Sequence, residues 1–127
     1  MVLVASIAVP RLVEARRATY EEVTIVHLNA LHSAQTGYFV RNGRYAPTLS
    51  ELGTISGEQG VAELPEELLS GEAAGYRYAI QPMPAGYIIR ADPQSTHTGS
   101  RHFYTDESTV IRERWDGPAS AADPQIP

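Results

Sequence analysis

Hydrophobic positions change their spacing twice along the chain. Met1 to Val9 is an apolar block in which only Ser6 is polar, and Pro10 follows it. Charge then enters abruptly with Arg11, Glu14, Arg16, Arg17, Glu21 and Glu22. Behind this band, Val23, Val26, Ala30, Ala34 and Tyr38 recur every three or four residues, flanked by Leu28, Leu31, Gln35 and Phe39. That period predicts an amphipathic helix. No glycine or proline interrupts residues 11–36, and Asn42-Gly43 supplies a stop signal. A helix over residues 1–42 would be about 60 Å long at 1.5 Å per residue. A compact chain of this length is only about 36 Å across. Residues 1–20 are therefore expected to protrude as a stalk, while residues 21–42 pack on the head. An apolar end standing clear of its own domain needs partners or lipid. The block alone is too short to cross a bilayer as a helix, which takes about 20 apolar residues. It also lacks the basic start and small-residue cleavage pattern of a signal peptide. Pro10 has two readings: the first turn of a helix that starts there, or a kink inside a longer one.

Residues 43–75 form a glycine-rich connector with room for two short helices. Thr48-Leu-Ser-Glu51 has the spacing of a capping box. Pro65-Glu-Glu-Leu-Leu carries proline and early acids that suit a helix start, with Gly71 beyond its end. From Gly75 the spacing falls to two. Tyr76, Tyr78 and Ile80 alternate with Arg77 and Ala79, which is the pattern of a half-buried strand. A turn at Pro82 to Gly86 leads into Tyr87 to Ala91. After a polar loop, Arg101 to Thr105 and Thr109 to Arg114 flank a second turn. The hairpin order predicts an antiparallel sheet of about four strands over residues 75–116. Residues 117–127, without periodicity, read as a free or surface-hugging tail. The fold class is α+β, with one long N-terminal helix packed on a small antiparallel sheet.

Composition narrows the chemistry. The 127 residues carry ten basic and fifteen acidic side chains, a net charge of -5, and no cysteine. All ten basic residues are arginine. Disulfides, thiolate metal sites and a cysteine nucleophile are excluded. An acidic total with no run of basic residues argues against a nucleic-acid partner. His27 and His32 lie five apart, about 140° around a helix, so they lack the spacing of a zinc pair. His97 and His102 flank the polar loop, again without ligand spacing. Asp92, Asp106, Glu107 and Asp116 fall near strand ends but lack the order of a calcium loop. Ser33 sits in no nucleophile elbow, and the glycines form neither a phosphate loop nor a dinucleotide fingerprint. Tyr20, Tyr38 and Phe39 read as packing residues. Catalytic residues, cofactor and metal are all expected to be absent, and the chain is not read as an enzyme.

The stretch IAVPRLVEARR, preceded by small and apolar residues, resembles the N-terminal helix of type IV pilins and the related type II secretion pseudopilins. GRYAPTLSELG, ELLSGEAAGYRY and TGSRHFYTDESTVIR also fit pilin-like proteins, so the likeness spans most of the chain. The resemblance implies a ladle-shaped structural subunit of a type IV pilus or pilus-like secretion filament. Its assembly helix would use Val2, Leu3, Val4, Ile7, Val9, Pro10, Leu12 and Val13, with Pro10 at the family's proline. Its partners would be copies of itself or other pilins, and the pilus or type II secretion assembly machinery. Such proteins are cut by a prepilin peptidase, N-methylated, held in the inner membrane before assembly, and extracted by an ATP-driven machine into an extracellular filament. The alternative is a low-abundance minor pilin whose head binds a surface, DNA or another ligand. The calcium-site loop of the major pseudopilin is not evident in the last hairpin. The family's leader, cleavage site, first apolar residues and early acidic residue have no counterpart here, and Met1 stands where the family has a mid-helix residue. The chain is accordingly expected to be an N-terminally shortened form, soluble and largely monomeric. The Arg11, Arg16 and Arg17 band also departs from the orientation that the positive-inside rule favours.

Overall fold

The computed structural model describes residues 2–58 and 60–127, with the side chains of residues 2–11 and 13 outside that description. A helix, α1 (Val2–Asn42), runs against one face of an antiparallel sheet. Pro10 lies inside α1, because the helix begins at Val2. At the other end, Gly43 takes a left-handed φ of 71° and its N–H bonds the Phe39 carbonyl at 2.8 Å. This closes the last turn in the way glycine favours.

Two short helices, α2 (Leu49–Gly53) and α3 (Glu66–Leu69), occupy the connector. Thr48 caps α2, its hydroxyl accepting the Glu51 N–H at 3.2 Å. The Glu51 carboxylate accepts the Tyr38 phenol at 2.7 Å, tying α2 to α1. Arg41 and Glu58 form an ion pair that brings the following loop to the same end of the helix. Gly37 permits this approach: a Cβ there would lie 2.6 Å from Val61 Cγ2.

The sheet has five strands, β1 (Glu72–Ala73), β2 (Tyr76–Met83), β3 (Gly86–Pro93), β4 (His102–Asp106) and β5 (Arg112–Arg114), paired in chain order. The expected count of about four is corrected by β1, which lies in the stretch read as connector. Ala74 and Gly75 both have positive φ, 52° and 75°, as a two-residue type I′ hairpin requires. Two residues are too few to show a period, so β1 leaves no alternation in the sequence. The tail also pairs: Ile126 N–H reaches the Ile111 carbonyl at 2.9 Å, and Arg112 bridges to Gln125. It therefore covers the β5 edge, which would otherwise be open to another strand.

The inner face of the sheet carries Tyr76, Tyr78, Tyr87, Ile89, Ala91, Phe103 and Thr105, all buried. Against them α1 sets Leu28, Leu31, Ala34, Gln35 and Tyr38. This face is rotated from the apolar stripe expected for the helix. Val26 remains 65% exposed and Phe39 44%, while Thr24 and His32, outside that stripe, are buried. On this face His32 finds partners on the sheet and Gln35 on the connector, as a buried polar group requires.

Candidate functional site

Glu14, Glu21, Leu28 and Gln35 lie seven apart and share one face of α1. Glu21, Leu28 and Gln35 are buried, whereas Glu14 is exposed. The cover provided by the sheet thus ends between Glu14 and Glu21. From Glu14 the helix continues to Val2, about 18 Å further at 1.5 Å per residue. Leu12 is 58% exposed, and Ala15, Arg16, Ala18 and Thr19 are exposed beside it. Of the assembly residues expected from the sequence, Leu12 is a described side chain. Val2, Leu3, Val4, Ile7, Val9, Pro10 and Val13 lie in α1, with side chains outside the described set. On the side away from the sheet, Leu12, Thr19, Val26 and Ser33, spaced by seven, form an uncharged line. Among the described residues, no helix is long and apolar enough to cross a membrane.

The inner side of the same helix is held by a row of polar contacts that single-sequence periodicity does not reveal. Arg17 Nη1 donates to Ser100 Oγ at 3.3 Å. One turn on, Glu21 accepts the Ser100 N–H at 3.1 Å and Arg101 Nε at 2.7 Å. Arg101 also reaches Glu113 at 2.9 Å, so one guanidinium joins helix, loop and β5. Burial opposes charge on Arg101, but its bonds to Glu21 and Glu113 outweigh this and raise its pKa.

His27 Nδ1 pairs with the Tyr78 phenol at 3.0 Å. His32 Nδ1 meets the Tyr87 phenol at 2.6 Å, and its Nε2 meets Thr105 Oγ1 at 2.8 Å. Because Thr105 Oγ1 donates its own proton to the Val110 carbonyl, it accepts from His32 Nε2–H. Nδ1 then accepts the Tyr87 proton, and the network assigns a neutral imidazole with its proton on Nε2. Burial lowers the pKa of both histidines, Glu67 partly opposing it at His27 and Asp106 at His32. Burial also pushes the Tyr78 phenol up to about 12. Although 140° apart, the two histidines straddle the face that meets the tyrosines of β2 and β3. The alternating Tyr76, Tyr78 and Tyr87 were the available signal for phenols facing the helix.

The remaining ionisable candidates are dispersed. His97 is exposed in the loop after β3. His102 Nδ1 bonds Asp92 at 2.6 Å. Asp106 accepts from the Ser108 N–H and hydroxyl in the β4–β5 turn, and Asp116 pairs with Arg114 at 3.0 Å. Among the described residues, no group of three His, Asp or Glu side chains converges as a metal site. Ser33 lies partly covered on α1, and Phe39 stacks near Tyr45 at 4.8 Å between ring centres. Comparison with protein-family models, curated proteins and solved structures yields no match.

Proposed function

We propose that the chain is a structural subunit of a type IV pilus or a related pilus-like secretion filament. It assembles through the amino-terminal part of α1, with the sheet carried outside as the head. The observation that supports this reading is the end of sheet cover between Glu14 and Glu21 on a helix that runs on to Val2. Helices left uncovered in this way gain most by packing against equivalent helices, since burial of apolar area drives association. The sequence of that segment, VLVASIAV, supplies the apolar side chains for such packing. The function is mechanical, with the helix as the connecting element and the head as the exposed surface.

The reading is tested in the source cell with the gene carrying Leu12→Glu. The variant head should fold normally, yet the protein should be lost from the sheared filament fraction. Incorporation at the wild-type level would sink the proposal.

A further inference from the structure

A groove of about 340 Å³ opens where α1 passes the loop between β3 and β4. Arg17, Ser95, Thr96, Ser100, His102 and Trp115 line it. Its volume lies in the range of small-ligand pockets. Charge around the groove is unevenly matched. Asp92 is engaged by His102, Glu21 and Glu113 by Arg101, and Asp116 by Arg114. Arg17 has no acidic partner within 4.0 Å among the described residues. Its Nε is shut off from water and makes no hydrogen bond, while Nη1 makes one long contact to Ser100. Only the outer nitrogens of this guanidinium can therefore meet a ligand in the groove, and with no carboxylate beside them an oxyanion is the group those donors match.

The rest of the lining indicates what carries that oxyanion. Three hydroxyls, Ser95, Thr96 and Ser100, offer both donors and acceptors. Trp115 lines the groove while 63% exposed, and the Arg101 guanidinium sits 5.7 Å from the centre of its ring. A flat aromatic face beside several hydroxyls suits a ring with apolar C–H groups on one side and hydroxyls around its rim. The loop that presents the hydroxyls is itself fixed. Gly99 packs on the Tyr76 ring where a Cβ would collide, and the Tyr76 phenol donates to the Arg101 carbonyl at 2.7 Å.

We propose that this groove binds an acidic sugar, a uronate-type ring whose carboxylate pairs with Arg17 and whose face stacks on Trp115. The site belongs to the unassembled head, so it stands or falls separately from filament assembly. Trp115 is the sole tryptophan, and its fluorescence reports directly on the groove. Titrating the whole chain with glucuronate should give a saturable change in that signal. Glucose and inorganic phosphate, which each supply half of the chemistry, should bind at least about tenfold more weakly, as expected when one charge-assisted bond is lost. Arg17→Gln should weaken glucuronate binding by about tenfold or more. Arg16→Gln, on the exposed side of the helix, should leave it unchanged. Thermal melts establish that each variant is folded. If Arg17→Gln melts early, Arg17→Lys serves instead, since it keeps the charge and loses the fork. No saturable change, equal binding of glucose or phosphate, or an equal loss in Arg16→Gln would overturn the proposal.

Discussion

The two halves of α1 have similar local chemistry and different surroundings. Between Tyr20 and Tyr38, helix residues meet the sheet and the connector, and even the polar ones have partners there: His32 with Tyr87 and Thr105, Gln35 with Ala46, Tyr38 with Glu51. Between Leu12 and Thr19, apolar Leu12 and Ala15 stand exposed beside Arg16. The covered half shows that burial does not require apolar side chains when each polar group finds a bond. In the uncovered half, an apolar residue that contributes little to the isolated head is free to serve another contact. Stability and assembly should therefore separate along one helix.

Substitutions can break that separation. Leu31→Ala, at a fully buried site in the covered half, should cost about 4 kcal/mol, read by urea unfolding. That is a large part of the stability of a small domain. Glu21→Ala removes one carboxylate from a poorly exposed Arg101 and unties the loop from the helix. A loss of about 3 kcal/mol follows for breaking a largely buried pair. Gln35→Leu keeps the volume but orphans the Ala46 N–H and C=O, which Gln35 bonds at 2.8 and 2.9 Å. The same assay should register about 2 kcal/mol. At the other end of the scale, Leu12→Ala should change stability by less than about 0.5 kcal/mol. A Leu12→Ala loss as large as that of Leu31→Ala would mean that the head covers the first half after all.

Acid sharpens the same contrast. Burial holds His27 and His32 below the ordinary histidine pKa of 6.5. The unfolded chain then binds more protons than the folded one once the pH falls below 6.5, so acidification favours unfolding. Stability is complete above that value and declines as the pH drops towards the lowered folded-state values. Melting temperatures measured from pH 7.5 to pH 5 (about the window above carboxylate titration) should fall progressively. A His27→Gln, His32→Gln double variant should flatten the curve, and a wild-type curve already flat would contradict the neutral network.

Much of the fold was legible because its signals are local. The glycine at the end of α1, the Thr48 cap and the alternation of Tyr76, Tyr78 and Ile80 each act within a few residues. The burial of His32 and Gln35 was not legible, since it depends on the Tyr87 and Thr105 hydroxyls and the Ala46 backbone that lie opposite them. Nor was β1, whose two residues owe their pairing to the turn at Ala74-Gly75. The groove at Arg17 combines residues from positions 17 to 115, a distance that no motif spans. The helix α1 itself was readable for the opposite reason: its run free of glycine from Arg11 to Thr36 and its stop at Asn42-Gly43 lie in one continuous segment.

The central claim, assembly through the uncovered part of α1, is met most directly by cryo-electron microscopy of filaments sheared from the source cell. The account predicts a helical array containing this chain, with the amino-terminal halves of neighbouring helices packed along the axis, Leu12 in their contacts and the sheets outside. Filaments that lack the chain, or an array in which this half of α1 touches no neighbour, would contradict it.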